Sequence, residues 1–327
     1  MCRRLWCFFC SCLVERTKLH SGLWRMRKQL FVTAIAIATA AGPVAAQGFG
    51  NGVGYIGGGL SYGEVVETRA PDSNVSYMPF YLEGQYAFPF LDMGYLGAEG
   101  YFGYADWDTS QTDFDPDNPE REVRVGLHYS HVVTPALRIG AFGAYSRTAL
   151  VTDDLQREPY ETIYGGLEAQ YFFGDDFMLF GQAGVGNTFE FPPDQSSDDH
   201  EGFRDARFVR AGVTWFPLDS TAITFEYENA SADSFLNGGD DSGDFSSFGL
   251  SGETVLPTDV PLEITYFARR DFYEISVGDV DLSDLTVGIG VRFLFGADTP
   301  RESWQNGRLL TAPRLPARSV DWLEALD

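Results

Sequence analysis

Apolar and polar residues alternate along most of this chain, from residue 48 to residue 295. Every second side chain is apolar, and the side chains between them are glycine, small polar or charged. A period of two is typical of β-strands whose two faces meet different surroundings. Segments of about ten such residues separated by turn residues are typical of a barrel that spans a membrane, with one face toward lipid and the other toward a polar interior.

The alternation predicts twelve strands. Their predicted positions are residues 53–66, 75–88, 93–105, 122–132, 136–148, 161–173, 177–190, 203–216, 221–230, 245–256, 262–273 and 283–296. The connections between them alternate in length. The short ones are 89–92, 133–135, 174–176, 217–220 and 257–261, and the long ones are 67–74, 106–121, 149–160, 191–202, 231–244 and 274–282. Short periplasmic turns and long outer loops are the rule in bacterial outer-membrane barrels. We therefore predict an all-β, transmembrane, antiparallel up-and-down β-barrel of about 12 strands, with both termini in the periplasm.

A soluble barrel or sandwich is the alternative, because its strands alternate too, with the apolar face inward. Aromatic residues near the predicted strand ends favour the membrane form, since such residues form girdles at the two membrane interfaces. These residues are Tyr86, Phe88, Phe90, Tyr171, Phe172, Phe173, Trp215, Phe216, Phe293 and Phe295. Glycines on the polar face also favour the membrane form.

The first 46 residues read as segments outside the barrel. Residues 26–46 combine a basic start, an apolar stretch from 30 to 41 and small residues before Gln47, which predicts a cleaved signal peptide. Residues 1–25 are expected to be an upstream extension from a start codon assigned too early. The barrel is predicted over residues 47–296, and residues 297–327 are predicted to form a loosely ordered periplasmic C-terminal tail. Residues 320–326 within that tail could form a short amphipathic helix, and the tail could also reach back toward the lumen.

The composition excludes several kinds of site and partner. All four cysteines lie within residues 2–12, so the barrel has no disulfide, thiolate metal site or cysteine nucleophile. Beyond residue 46 there are 16 Arg and no Lys against 46 Asp and Glu, a formal charge of −30. A nucleic-acid partner is not expected, because it requires a basic surface. No segment beyond residue 46 has 18 consecutive apolar residues, which excludes transmembrane helices from the predicted barrel.

Four features of the sequence are shared with a known protein family. They are the signal peptide, the even number of strands, the alternating loop lengths and the final strand, which ends with residues 290–295. In these features the chain resembles the bacterial outer-membrane β-barrel proteins, most closely small porin-like proteins, over residues 48–296. The resemblance implies a Gram-negative outer membrane, passive diffusion of small hydrophilic solutes or ions, and no cofactor. It also implies contact with outer-membrane lipid and lipopolysaccharide, the barrel-assembly machinery, and a possible homo-oligomer. The tail departs from the family, whose chains commonly end on the last aromatic residue.

A set of charged residues lies on the strand faces opposite to the apolar ones. These side chains are predicted to point into the lumen, where they would line a pore. They are Glu83, Glu99, Arg124, Arg138, Glu168, Arg210, Glu226, Glu228, Glu263, Arg269 and Arg292. In an open lumen they would set ion selectivity, whereas in a closed lumen they would form a structural ion-pair network. Twelve strands lie between the filled 8-stranded barrels and the open porins of about 16 to 18 strands. Many inward glycines favour an open, narrow pore, although aromatic side chains can also cover such glycines.

Two further motifs have weaker readings. His128 and Ser130 share a strand face, as the base and nucleophile of a lipid-acting outer-membrane esterase would, but parity points them inward. Asp113, Asp115 and Asp117 are spaced like the start of a calcium loop, but position six is Asn118 and position twelve is Arg124. Solvated acidic loops are the simpler interpretation. We expect a channel without enzymatic activity. The alternative is a structural or surface-interaction barrel whose lumen is plugged and whose acidic loops bind ions.

Overall fold

The computed structural model describes residues 51–67, 74–91, 93–108, 120–150, 160–190, 204–233, 242–275 and 280–314. The predicted signal peptide and upstream extension lie outside these residues. Twelve strands are present, as predicted. They are β1 (Val53–Glu67), β2 (Asn74–Phe90), β3 (Gly94–Asp108), β4 (Glu120–Thr134), β5 (Leu137–Leu150), β6 (Tyr160–Phe173), β7 (Phe177–Glu190), β8 (Ala206–Leu218), β9 (Thr221–Ala232), β10 (Gly243–Val255), β11 (Leu262–Ile275) and β12 (Val280–Phe295).

The strands form one closed antiparallel barrel. Each strand pairs with its neighbours in sequence, and β1 pairs with β12 from Gly54 opposite Phe295 to Glu67 opposite Leu282. Closure leaves no strand edge with unpaired backbone groups, which hydrocarbon would not tolerate. The predicted alternation of connections holds except at the last step. There β11 and β12 extend further than predicted and leave only residues 276–279 between them, fewer than the six residues, 256–261, that join β10 to β11.

Burial in this barrel is the inverse of that in a soluble barrel. Large apolar side chains lie on the outside, with Leu127 66% and Leu167 70% exposed. Charged side chains lie inside, where Glu263 is fully buried and Glu228 is 2% exposed. Along β4, buried and exposed residues alternate with polar residues on the buried side. Because an apolar outer surface of this kind is stable only against lipid, the soluble alternative is excluded. None of the helices within the described residues is long and apolar enough to cross a membrane.

Because the outer band is apolar, the loss of stability caused by an introduced charge should depend sharply on its depth in the membrane. We expect Leu167→Arg, in the middle of β6, to destabilise the barrel by about 2–4 kcal/mol, because the charge would enter the centre of the lipid. The matched control is Leu218→Arg at the end of β8, where Leu218 is also well exposed at 62%; we expect a cost of at most about 1 kcal/mol at this interface. Urea unfolding from lipid vesicles measures both, and equal costs would contradict this placement of the membrane.

The chain turns back into the barrel after β12. Gly296 has φ +73° and Gly307 has φ +118°, values that L side chains rarely adopt. A Cβ atom would collide with the backbone oxygen of Gly52 at the first position and with the Tyr95 ring at the second. Between the two turns lies one short helix, α1 (Pro300–Gln305). The Thr299 hydroxyl accepts a hydrogen bond from the Glu302 backbone N–H at 3.1 Å and caps this helix.

The described part of the C-terminal tail, residues 297–314, therefore follows the alternative in which the tail reaches back toward the lumen, and differs from the loosely ordered periplasmic extension. It enters the barrel at the end where the short turns lie. Arg301 pairs there with Asp176 at 3.2 Å and Asp219 at 2.8 Å, in two of those turns. Leu309, Leu310 and Ala312 are at most 2% exposed. The barrel interior offers these apolar side chains burial, which an extension in water would not. The predicted helix over residues 320–326 lies outside the described residues.

Candidate functional site

All eleven charged residues predicted to face the lumen have their side chains on the inner side of the barrel wall. Six are at most 9% exposed, and the other five are partly buried. The fully or largely buried ones are Glu99, Arg124, Arg138, Glu168, Glu228 and Glu263. Whether these residues line a path for solutes stays a prediction, but their inward orientation follows from the strand register.

Arg292 on β12 is the centre of one ion-pair cluster. Its Nε lies 2.8 Å from Glu83 Oε1, and its Nη1 lies 2.9 Å from Glu253 Oε1 and 3.5 Å from Glu263 Oε1. Gly57 stands in register between Arg292 and Glu83. A Cβ at Gly57 would lie 2.6 Å from Arg292 Cγ, so the absent side chain gives the arginine room to cross a strand.

A second cluster joins β8, β9 and β11. Arg210 pairs with Glu226 at 2.5 Å, and Arg269 pairs with Asp271 at 2.7 Å and with Glu228 at 3.7 Å. Each arginine of this cluster lies beside at least one carboxylate, which is how several carboxylates and guanidinium groups can be buried together. The resulting surface is polar but electrically nearly balanced.

His128 belongs to a buried group of its own rather than to a catalytic pair. Its Nδ1 lies 3.1 Å from Glu168 Oε2 and its Nε2 lies 3.8 Å from Glu99 Oε1. The ring stacks on Phe142 with centroids 5.6 Å apart. Both His128 and Ser130 are at most 3% exposed and face the interior, so neither is presented to lipid.

The tail backbone is held by side chains from many strands. Arg138 donates to the carbonyl oxygen of Trp304 at 2.8 Å and also to that of Gln305. The Thr311 carbonyl accepts from Gln182 at 3.2 Å and from Arg210 at 2.8 Å. Four more hydrogen bonds link the tail to the wall: Gln85 to the Leu310 carbonyl, Gln170 to the Arg308 carbonyl, Tyr164 to the Pro313 carbonyl, and the Ala312 backbone N–H to Glu99. These donors and acceptors replace the partners that an extended backbone otherwise finds in water.

Apolar and ionic contacts complete the attachment of the tail. Trp304 and Leu310 pack in a cluster with inward residues near the short turns: Phe172, Met178, Phe180, Phe216 and Ala222. Arg308 forms two hydrogen bonds with Glu253, at 2.7 and 2.9 Å. Burial lowers the pKa of the Arg308 guanidinium, but the Glu253 carboxylate outweighs that effect and raises it above its ordinary value, so Arg308 stays charged. The tail thus occupies the short-turn half of the lumen.

Beyond the tail the lumen contains a cavity of about 200 Å³. Its charged lining consists of Glu83, Arg124, Arg210, Glu226, Glu228, Glu253, Arg269, Arg292 and Arg314. Seven of these residues belong to the predicted lumen set. Tyr81, Tyr101, Thr265 and Thr311 add aromatic and hydroxyl groups. The cavity is therefore a polar chamber with aromatic parts of its wall.

Aromatic side chains cover several of the inward glycines, which is the alternative to an open pore that the sequence left. A Cβ at Gly212 or Gly288 would collide with Phe180 or Phe267, respectively. Phe180 also packs in the tail cluster. Two of the aromatic residues assigned to a membrane girdle, Phe172 and Phe216, likewise face inward and pack against Trp304, whereas Phe173 is 67% exposed on the outside.

Sequence reasoning missed several charged residues, among them Asp271 of the second cluster and the three that bind or line the site near the tail. Glu253 shares the strand face of Gly249 and lies opposite to Leu250, so parity along β10 would have identified it. Arg308 and Arg314 lie in the tail, where no alternation applies. The helix α1 carried a usable signal, since Thr299, Pro300 and Glu302 follow the pattern of a helix N-terminal capping box.

The acidic calcium-like motif at Asp113, Asp115 and Asp117 lies outside the described residues. Among residues that the structure does describe, no group of three or more His, Cys, Asp or Glu side chains is arranged to hold a metal ion.

A closed antiparallel barrel with an apolar outside and a charged inside defines a transmembrane β-barrel. Solved structures agree with this class. The COG4313 outer membrane channel from Pseudomonas putida F1 is similar, with a TM-score of 0.53 and 10% identity over 75% of this chain and 95% of that one. The chain has the fold of the bacterial outer-membrane β-barrel proteins.

Two further structures are more distant. The toluene transporter TodX from P. putida gives a TM-score of 0.43 with 9% identity over 75% of this chain and 89% of that one. The beta domain of the Bordetella autotransporter Brka gives 0.43 with 13% identity over 75% and 99%. No protein-family model and no curated protein matches the sequence.

Proposed function

We propose that this protein is an outer-membrane channel through which small hydrophilic solutes or ions diffuse passively, and that its own tail restricts the path. The observation that carries the proposal is the polar cavity of about 200 Å³ inside the barrel. Inward side chains alone fill an 8-stranded barrel, whereas this 12-stranded barrel retains a polar space that a solute can enter. The similarity in fold to an outer membrane channel also supports it.

Planar-bilayer recording tests this function. Residues 47–327 would be refolded in detergent and inserted into a bilayer, and we expect discrete, reproducible current steps. The conductance should be small, since the tail occupies half of the lumen. A silent bilayer for the complete protein, with insertion shown by protease protection, would contradict the proposal.

The second candidate is a plugged structural or surface-interaction barrel whose acidic loops bind ions or partners. The hydrogen bonds between the tail and side chains of β2, β3, β5, β6, β7 and β8 favour it, because they stabilise a closed lumen. The two candidates differ in one respect: only a channel conducts with its tail in place, whereas removal of the tail would open the lumen of either.

The proposed function includes no covalent chemistry. A lipid-acting esterase requires its nucleophile to reach the membrane, whereas Ser130 and His128 are buried inside the barrel. The proposal places the protein in the outer membrane of a Gram-negative bacterium with both termini in the periplasm. Its partners are then lipid, lipopolysaccharide, the barrel-assembly machinery during insertion, and other copies of the chain if it forms oligomers.

A further inference from the structure

The charges that line the cavity are not fully paired with one another. All four lining carboxylates lie within 4.0 Å of an arginine: Glu83 and Glu253 beside Arg292, Glu226 beside Arg210, and Glu228 beside Arg269. Arg124 and Arg314 differ from the other three lining arginines. Neither has a carboxylate within 4.0 Å among the residues that the structure describes. Arg124 and Arg314 are therefore the cavity charges without a direct carboxylate partner, although Glu99 and Glu122 act electrostatically on Arg124 and Arg314 acts on Glu226.

The two unpaired arginines lie around one aromatic ring. The guanidinium carbons of Arg124 and of Arg314 each lie 5.1 Å from the centroid of the Tyr101 ring. Arg314 also donates a hydrogen bond to the Tyr101 hydroxyl at 2.9 Å. Tyr101 in turn stacks on Tyr81, with centroids 6.1 Å apart. The aromatic pair holds two like charges at one side of the chamber, an arrangement that an anion would stabilise.

Arg124 shows most clearly that an acceptor is missing. Its side chain is only 8% exposed, and its Nε and Nη1 atoms have no hydrogen-bond partner within the described parts of the chain. A buried N–H group without a partner costs free energy, and more so when it carries charge. Native proteins usually satisfy such a group with another side chain, an ordered water or a ligand.

We propose that Arg124 and Arg314 bind the acid group of a small organic carboxylate inside the cavity. This inference rests on the proposed function, since it names the class of solute that the channel would carry. Guanidinium groups bind carboxylates through charge-assisted hydrogen bonds. Tyr81, Tyr101 and Thr265 would contact the rest of the solute. Its size is limited, because a cavity of ~150 Å³ holds a ring as small as benzene and this one measures about 200 Å³.

Calorimetry with two matched probes tests the proposal. Residues 47–327 in detergent micelles would be titrated with benzoate and with benzamide, which has the same shape and no charge. We expect saturable binding of benzoate that is about tenfold tighter than that of benzamide. No saturable binding of benzoate at millimolar concentration, or equal binding of the two probes, would overturn the proposal.

Substitutions locate the site. We expect Arg124→Gln and Arg314→Gln each to weaken benzoate binding about tenfold or more, because each removes one charged donor. Arg147→Gln is the control, since Arg147 is exposed and lies 3.9 Å from Glu161 away from the cavity; its binding should not change. Arg314 lies outside the strands, so this variant tests the site even if Arg124→Gln does not fold. Unchanged affinity in Arg314→Gln would refute the assignment.

The binding assay and the bilayer assay test the anion site and the channel function independently. Specific benzoate binding to a protein that never conducts would contradict the channel function and leave the anion site in place. Conductance without any benzoate binding would contradict the anion site alone.

Discussion

Ending the chain at Gly296 should raise the single-channel conductance several-fold. The deletion removes the residues that occupy the short-turn half of the lumen, including Trp304, Arg308 and Leu310. All twelve strands and their closing pairs remain, and water can hydrate Arg138 and the inward glutamines once the tail is gone. Planar-bilayer recordings of the truncated and complete proteins, after both show the same folded mobility on unheated gels, measure the difference.

A crosslink provides the control for the deletion. Ala87 and Leu309 belong to the same buried cluster, and residues 47–327 contain no cysteine. In a variant with Ala87→Cys and Leu309→Cys, a short thiol-bridging reagent should hold the tail in place and keep the current low. Deletion without any change in current would contradict the view that the tail restricts the path.

Arg292→Met should destabilise the barrel by about 3–5 kcal/mol, the typical cost of removing one partner from a buried ion pair. Arg292 is the shared partner of Glu83, Glu253 and Glu263. Methionine fills much of the volume of arginine, so the loss of charge pairing dominates the effect. Urea unfolding in micelles, followed by tryptophan fluorescence, gives the difference in the free energy of unfolding.

Two controls separate charge pairing from the loss of any arginine. Arg147→Met removes an arginine that is also on a strand and paired with a glutamate, but its side chain is 49% exposed, and we expect a change of at most about 1 kcal/mol. Adding Glu263→Gln to Arg292→Met should restore part of the stability, because it neutralises a fully buried carboxylate left without its partner. Equal effects of the two arginine variants would contradict the cluster around Arg292.

The barrel itself was predictable because its physical rule acts along each strand. A strand between lipid and a polar interior must alternate, so a period of two marks both the strand and the face on which each residue lies. Strand bounds agreed to within a few residues, and all eleven predicted lumen charges face inward. The connection between β11 and β12 was less predictable, since the strands continue into a region without clear alternation.

The site was predictable only as a set of residues, because their partners depend on the register. Arg292 meets Glu83 because Gly57 stands between them in the sheet, and the sequence contains no sign of that alignment. The meaning of the inward glycines was also undecided by sequence, since the same glycine is compatible with open space or with an aromatic ring from the next strand.

The sequence by itself determined the membrane barrel, the number of strands and the inward face, because these follow from local periodicity and from the cost of placing charge in lipid. Only the tertiary structure decided what fills the lumen. The tail has no periodicity, and its position depends on backbone hydrogen bonds to at least six strands and on pairing of Arg308 with Glu253. Likewise, only the closed barrel shows that Arg124 and Arg314 lack a direct carboxylate partner, because the other charged residues of the cavity pair with one another there.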